Sequence, residues 1–246
     1  MERVCSDAPY RFVRCVILTV IYRSGSPLGV RVSAEVAPLV LASSSARRRE
    51  LLAALRVPFI VRPMHTEEVV QPGLAPPEVV LRIAAEKAAA AAAVVPRSGC
   101  LIAADTIVAL EDRILGKPAD AAAARAMLGA LAGRAHDVYT AVVVAAGGRQ
   151  AVAVAETNVL MRPLSAEEIE TSIAAGTPLD KAGGYAIQDE ALRPVLRFSG
   201  CYCNVMGLPL WTVHRLLHQL CPELRPEPPD TVYERCRHCP LQERGG

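Results

Sequence analysis

The chain has 246 residues, of which 52% are hydrophobic and only 4% are aromatic, and its formal net charge at pH 7 is +2. This length suffices for one sizeable core, which must be built mainly from Ala, Val, Leu and Ile. The small net charge and the scarcity of aromatic side chains argue against a nucleic-acid-binding protein, so any anion site must be local.

The first 36 residues are predicted to be a disordered extension. The apolar segment at residues 12–22 is too short to span a bilayer, and Arg14 interrupts it, which also makes it a poor signal peptide. The eight cysteines do not form a disulfide framework in the middle of the chain, which indicates a reducing compartment. We therefore expect a cytoplasmic protein with no membrane partner.

Apolar strands that alternate with helical patterns predict an α/β fold with one mixed sheet. Beyond residue 220 the composition is Pro-rich and charged, which predicts a loose C-terminal tail over 221–246. The predicted elements, in chain order, are a strand at 38–43, a helix at 45–56, a strand at 57–61, a helix at 77–95, a strand at 101–110, a helix at 120–131, strands at 137–146 and 150–162, a helix at 165–175, a strand at 194–200 and a helix at 209–220.

The first predicted helix begins with an unfavourable charge. Ser45 can cap it, but Arg47, Arg48 and Arg49 then occupy the first turn, where the helix dipole favours Asp or Glu. An anion bound at this end would make the positive charge favourable, because free backbone N–H groups and guanidinium groups would both contact the anion. The alternative is an exposed basic turn that costs a few tenths of a kcal/mol for each residue, roughly. We favour the anion site.

A carboxylate interrupts the most apolar predicted strand. Asp105 would be costly there unless it were paired, metal-bound or at the sheet edge, so it is a candidate for binding Mg²⁺ or activating water. The alternative, a residue that ends the strand, is disfavoured because residues 107–110 are again apolar. Lys117 follows in a Gly-Lys-Pro turn. Gln188 ends a polar, glycine-containing loop, and its amide can read a base edge.

Only three of the 27 basic residues are lysines, at positions 87, 117 and 181. Because Arg is used wherever a generic charge suffices, these positions are candidates for sites that need a compact ammonium group. Without the other motifs, Lys87 would be interpreted as an ordinary side chain on the surface of an Ala-rich helix. His136 is interpreted as a structural histidine, and Tyr185 is as compatible with packing as with ligand contact.

Four motifs occur in a recognisable order and read LASSSARRRELL, ADTIVAL…GKP, LAGRAHDVYTAV and PLDKAGGYAIQ…GLPL. With these motifs the chain resembles, over about residues 37–220, the Maf family of nucleoside triphosphate pyrophosphatases, which was first linked to septum formation. The resemblance implies an α/β fold with an elongated mixed β-sheet flanked by helices and a cleft between two lobes. It implies a relationship to the inosine triphosphate pyrophosphatases.

The resemblance implies hydrolysis of the α–β phosphoanhydride bond of a nucleoside triphosphate. The motif details are similar to the branch that acts on dTTP and UTP rather than the branch that acts on 7-methyl-GTP. This implies a role in nucleotide-pool cleaning, linked to cell-division arrest, with Mg²⁺ or Mn²⁺ as the cofactor. The alternative is a nucleotide-binding regulator of septum formation without turnover, and an RNA-binding module is disfavoured by the low charge.

The resemblance also assigns site residues by their position in the motifs. Asp105 matches the catalytic proton acceptor, and Glu67 matches an acidic position that helps to bind the metal together with Asp105. Ala46 departs from the family, which usually has Pro there. The positions that match phosphate contacts are Ser43, Arg47, Arg48, Lys87 and Lys117. The positions that match substrate choice are Arg48, Thr106 and Gln188.

A second pattern lies at the C-terminus. His218, Cys221, Cys236 and Cys239 have the spacing H-x2-C-x14-C-x2-C, which is close to that of structural Zn²⁺ sites. The alternative is that this Pro-rich tail does not fold, and the resemblance includes no zinc. The sequence does not determine the oligomeric state, for which we consider a homodimer.

Overall fold

The fold is taken from a computed structural model of the whole chain. The structure describes residues 16–18, 38–64, 66, 73–96, 98–111 and 113–242, with backbone alone for the first of these ranges. In these ranges no helix is both long enough and apolar enough to cross a bilayer.

Eight strands of the described chain form a single mixed sheet in the order β1-β7-β6-β4-β2-β3, with β5 beside β4 and β8 beside β7. Strands β2, β3 and β4 run parallel, and the other pairings are antiparallel. The predicted α/β class with a mixed sheet is therefore confirmed. The strands are β1 (Val16–Leu18), β2 (Leu39–Leu41), β3 (Phe59–Val61), β4 (Cys100–Leu110), β5 (Arg113–Leu115), β6 (Ala135–Ala146), β7 (Arg149–Met161) and β8 (Val195–Ser199).

Three helices begin where the sequence places their caps. The side chains of Ser45, Asp120 and Ser165 each accept a hydrogen bond from a first-turn backbone N–H, and Glu168 completes a capping box with Ser165. The α-helices are α1 (Ala46–Ala54), α2 (Pro76–Ala92), α3 (Ala121–Leu131), α4 (Ala166–Ala174), α5 (Tyr202–Met206), α6 (Leu210–Leu220) and α7 (Pro229–Val232). Short 3₁₀ helices cover Ala182–Gly184, Pro222–Leu224 and Glu234–Cys236.

The core is divided by the sheet, because successive side chains of a strand point to opposite faces. Ile102 and Ala104 of β4 pack on the side that carries α1 and α6. Leu101 and Ala103 pack on the side that carries α2. Both faces of this strand are covered, which is why its sequence is a nearly continuous apolar run rather than an alternating one.

The sheet has a gap beside its central strand. Strand β2 ends at Leu41, opposite Ile102, and β5 joins the same side of β4 only at residues 108–110. Between them, no strand of the described chain pairs with residues 103–107 on this side, although β6 pairs with the other side throughout. We call residues 103–107 the open edge of β4.

The N-terminal region contributes one strand to the sheet. Val16–Leu18 pair antiparallel with residues 152–154 of β7, so the prediction of a disordered extension over 1–36 is wrong for these three residues. An unpaired outer strand exposes backbone hydrogen-bonding groups, and β1 pairs with residues 152–154 of β7. Residues 1–15 and 19–37 lie outside the described residues.

The C-terminal segment, residues 221–242, packs against the core. Leu241 and the cysteines at 221, 236 and 239 are buried. Glu227 N donates to Leu55 O at 3.0 Å, and Arg215 Nη1 donates to Leu241 O at 2.6 Å. The predicted loose tail is therefore wrong over this range. Its few apolar side chains are spaced between prolines and charges, and only the fold shows that they share one face.

The cysteine pairing differs from the predicted arrangement. Cys100, at the start of β4, forms a disulfide with Cys221, and the sequence pattern did not predict this bond. Because Cys221 is already bonded and His218 is exposed, the predicted zinc ligand set of His218, Cys221, Cys236 and Cys239 is wrong.

The buried C-terminal segment makes Leu241 a test of this packing. Replacing Leu241 by Ala leaves a cavity in the core, so we expect the free energy of unfolding to fall by about 2–5 kcal/mol. Chemical denaturation of the purified variant measures this change. The matched control is Leu196→Ala, because Leu196 is 63% exposed and should change stability by less than about 0.5 kcal/mol. Equal, small changes in both variants would show that the segment does not pack.

Candidate active site

A cavity of about 630 Å³ opens at the open edge of β4. This volume is in the usual range for small-molecule sites. Asp105 and Thr106 are adjacent on the open edge and therefore point to opposite faces of the sheet, yet both line the cavity. The cavity wraps around the edge of β4, and one ligand there can contact side chains from both faces.

The start of α1 forms one wall of this cavity. Arg48 N donates to the capping oxygen of Ser45 at 3.3 Å, and Ser45 N donates to Ser43 Oγ at 3.2 Å. The first turn contains no acidic residue, so the helix dipole and the arginines both present positive charge to the cavity. The local arrangement matches what the charge pattern predicted for an anion site.

Arg48 is held by three polar groups from different parts of the chain. Its Nε donates to Gly207 O at 2.9 Å, Nη2 donates to Thr106 Oγ1 at 3.0 Å, and Nη1 lies 3.4 Å from Ser43 Oγ. A Cβ at Gly207 would lie 3.1 Å from Thr106 Oγ1, and the φ of +106° at this glycine is unfavourable for other residues. The site therefore requires glycine where the chain passes the guanidinium group.

A chain of hydrogen bonds continues from Thr106 into the core. Thr106 Oγ1 lies 2.9 Å from Thr140 Oγ1, and Thr140 donates to Asn204 O at 2.9 Å. Asn204 Nδ2 in turn donates to Val138 O and to Thr157 Oγ1, both at 2.9 Å. These buried contacts fix the position of Thr106, and with it one face of the cavity.

A buried ion pair lies on the opposite face of the sheet. Lys87 Nζ of α2 is 2.5 Å from Asp105 Oδ1, and Asp105 is only 4% exposed. A carboxylate in such a strand is costly unless it is paired, and Lys87 supplies the partner. The two residues form a preassembled acid–base pair at the open edge of β4.

The loop that contains the fourth motif, PLDKAGGYAIQ, closes the cavity from another side. Arg47 Nη1 donates to Asp180 Oδ2 at 3.3 Å, and Asp180 also pairs with Lys181. Burial raises the pKa of Asp180, but hydrogen bonding to Lys181 and the charges of Lys181 and Arg47 hold that pKa below its ordinary value. Gly183 has a φ of +71°, and its position lies against Val108 of β4, which brings the loop close to the sheet.

Two buried polar atoms on the cavity wall have no hydrogen-bond partner within the described chain. They are Gln188 Oε1 and Thr66 Oγ1. An unsatisfied buried acceptor costs about 1–3 kcal/mol, so such atoms indicate a surface that a ligand completes.

The geometry can be compared with known proteins. The family model described as Maf-like protein matches residues 38–220. The chain belongs to the Maf family. A dTTP/UTP pyrophosphatase of Thermomicrobium roseum is 48% identical over 203 residues, which cover 82% of this chain and 93% of that protein. A dTTP/UTP pyrophosphatase of Salinibacter ruber is 49% identical over 183 residues, covering 73% and 89%. A third, from Yersinia pestis, is 45% identical over 179 residues, covering 73% and 91%.

The Maf motifs converge in the fold. Eight predicted site residues line this cavity together: Ser43, Arg47, Arg48, Lys87, Asp105, Thr106, Lys117 and Gln188. Glu67, the predicted second metal ligand, lies outside the described residues. Sequence reasoning missed Thr66, Thr140, Asn204 and Gly207. The glycine follows a short helix in the sequence, but nothing local indicates that its carbonyl oxygen meets Arg48.

The Maf domain offers oxygen ligands for a divalent cation in this cavity. Within the described part of the chain, no group of three or more His, Cys, Asp and Glu side chains is already arranged to hold a metal ion. Mg²⁺ usually binds through one or two carboxylates together with substrate phosphates and water. Asp105 fits that requirement, because its carboxylate faces the cavity that would receive the phosphates.

A buried pair of side chains, His136 and Tyr185, supports the loop of the fourth motif from behind. His136 Nε2 and Tyr185 Oη are 2.7 Å apart and hydrogen-bonded, and both residues are buried. Burial raises the pKa of Tyr185. Burial lowers the pKa of His136 to about 4. His136 is therefore neutral at pH 7, which agrees with the structural role predicted for it.

The lowered pKa of His136 predicts a pH-dependent stability. Between pH 6.5 and about 4 the unfolded chain binds a proton at this site that the folded Maf domain does not. The free energy of unfolding should therefore fall as the pH falls through this window, by about 3 kcal/mol at its acid end. Denaturation at a series of pH values, compared with His136→Gln, isolates this contribution. Identical pH profiles for the two proteins would contradict the assignment.

Proposed function

We propose that this Maf-family protein hydrolyses dTTP and UTP to the nucleoside monophosphate and pyrophosphate. The observation that carries the proposal is the Lys87–Asp105 ion pair, which shares one cavity with the arginine-rich start of α1. Three relatives named dTTP/UTP pyrophosphatase support the same activity. Their sequence identity to this chain is 45–49% over most of their length.

The positive side chains of the cavity suit a polyphosphate. A nucleoside triphosphate carries about four negative charges, and phosphoryl transfer depends mainly on positioning and charge neutralisation. Arg47 and Arg48 approach from α1, Lys87 from α2, and Lys117 from the turn after β5. We assign phosphate binding to these four and to Ser43, whose hydroxyl lies between the backbone of α1 and Arg48.

Asp105 is assigned as the general base. Water attacks the α-phosphorus, the bond from that phosphorus to the bridging oxygen breaks, and pyrophosphate leaves. The proton of the attacking water passes to a carboxylate oxygen of Asp105, while Lys87 holds Oδ1 at 2.5 Å and fixes the orientation of the group. A divalent Mg²⁺ or Mn²⁺ ion, held by Asp105 and by Glu67 as the family resemblance implies, would supply further neutralisation of the phosphate charge.

Gln188 is assigned to base recognition. Its Oε1 is a buried acceptor with no partner in the described chain. Thymine and uracil both present an N3–H donor, whereas N3 of cytosine is an acceptor. A hydrogen bond from N3–H to Oε1 would admit both bases, with or without the 5-methyl group, and would leave cytosine with two opposed acceptors.

The general-base assignment predicts the effect of Asp105→Asn. The amide cannot take the proton, so kcat for dTTP should fall by about 10²–10⁴-fold with the fold retained. Release of monophosphate and pyrophosphate is measured with Mg²⁺ or Mn²⁺ present. The control is Asp230→Asn, because Asp230 contacts Gln242 in the C-terminal segment. A parent rate in Asp105→Asn would refute the assignment. No product from any nucleotide with the parent protein would favour a regulator without turnover.

The recognition assignment predicts a narrower effect for Gln188→Leu. The variant loses the acceptor, so kcat/KM for UTP and dTTP should fall by roughly 10–100-fold, which corresponds to about 1–3 kcal/mol. The ratio of kcat/KM for UTP over CTP should fall as well, because the site no longer penalises cytosine. Steady-state kinetics with the three nucleotides measure both effects. An unchanged UTP/CTP ratio would exclude Gln188 as the reader of N3.

A further inference from the structure

Four buried cysteines that the proposed activity does not use lie together beneath the C-terminal segment. They are Cys201, Cys203, Cys236 and Cys239, and all four are free thiols. Cys201 and Cys203 belong to the N-terminal end of α5, and the other two form a C-x2-C pair. The described C-terminal segment lies beyond the residues matched by the Maf family model, so the cluster joins the Maf domain to a segment outside that match.

The sulfur atoms of the cluster are in contact. Cys203 Sγ lies 3.6 Å from Cys236 Sγ. The sulfur of Cys201 is hydrogen-bonded to the thiols of Cys203 and Cys239. In a tetrahedral zinc–thiolate site with Zn–S bonds of about 2.3 Å, neighbouring sulfurs are about 3.8 Å apart. The 3.6 Å separation of Cys203 Sγ and Cys236 Sγ matches this edge, whereas an iron–sulfur cluster would hold its cysteines further apart.

Backbone groups are also directed at these sulfurs. The N–H groups of Cys203 and Asn204 lie near the sulfur of Cys201, and the N–H of Leu241 lies near that of Cys239. N–H dipoles near a sulfur stabilise thiolate charge, as the outer contacts of metal-binding sulfurs do. A cluster of neutral buried thiols would gain little from this arrangement.

From these contacts we propose that Cys201, Cys203, Cys236 and Cys239 bind one structural Zn²⁺ ion. The contacts among these side chains form an open series, from Cys239 through Cys201 and Cys203 to Cys236, and no three of the four are already arranged to hold an ion. Closing the tetrahedron requires Cys236 and Cys239 to approach each other. Their C-x2-C spacing allows this, because it is the spacing of ligand pairs in structural zinc sites. Four thiols lose four protons as the ion binds.

The proposed ion would connect the C-terminal segment to the wall of the nucleotide cavity. It would hold α5, whose C-terminal cap is Gly207, and the Gly207 carbonyl accepts the hydrogen bond from Arg48 Nε. Two further contacts join the C-terminal segment to α6 and α5. Trp211 Nε1 of α6 donates to Cys236 O at 3.1 Å, and Tyr233 Oη lies 3.6 Å from Met206 Sδ of α5. The link to Arg48 rests on the proposed function, but the zinc site does not.

The test is the metal content of the purified full-length chain, measured by inductively coupled plasma mass spectrometry. We expect about one zinc per chain for the parent, and less than about a tenth of that for Cys236→Ser and for Cys203→Ser. The matched control is Cys100→Ser, which removes a buried sulfur and the disulfide to Cys221 but should keep the zinc. Because zinc is counted independently of turnover, the result is separate from the success of the proposed enzymatic activity.

A second measurement uses the parent alone and does not depend on folding of the variants. Exchange with Co²⁺ should give the intense thiolate-to-cobalt absorption and visible bands of a tetrahedral four-sulfur site. Parent protein without metal, iron in place of zinc, or peptide mass spectrometry that shows disulfides among these four cysteines would each overturn the proposal. Retention of zinc by both serine variants would overturn it as well.

Discussion

The candidate site depends on an interruption in the sheet. Strand β4 continues past the end of β2, and β5 joins it again only from residue 108. A paired edge would fill this space with backbone hydrogen bonds, and no ligand could reach the strand. Because the edge is open, side chains on both faces of β4 reach one cavity. Asp105 meets Lys87 on one face, and Thr106 meets Arg48 on the other.

The same interruption accounts for the unusual charge at the start of α1. A short strand that ends at Leu41 leads directly into Ser43 and the cap at Ser45, so the helix N-terminus is placed at the gap. Positive charge there is unfavourable for the isolated helix and favourable beside a polyphosphate. The local cost and the ligand site are therefore one feature of the fold, in agreement with the expectation that functional sites break local rules.

The C-terminal segment, which lies beyond the residues matched by the family model, supports the cavity from outside the Maf domain. Its apolar side chains complete the core on the α1 and α6 side of the sheet, and its cysteines lie against α5. Since α5 ends at the glycine whose carbonyl holds Arg48, the segment supports one wall of the cavity from outside. The hydrogen bonds from Thr106 through Thr140 to Asn204 reach the same helix from inside.

The sequence by itself determined the main helices and strands and most of the cavity. Caps such as Ser45 and the Ser165–Glu168 box, and the charges of Arg47, Arg48 and Asp105, are local signals, because each depends on only a few neighbouring residues. Tertiary structure alone decided the rest. The disulfide from Cys100 to Cys221, the meeting of Gly207 with Arg48, and the burial of residues 221–242 join segments far apart in the chain. Such contacts depend on which faces pack together, and the composition of a segment does not contain that information. A Pro-rich, charged segment is therefore predicted to be loose, although its few apolar residues lie on one face in the folded protein.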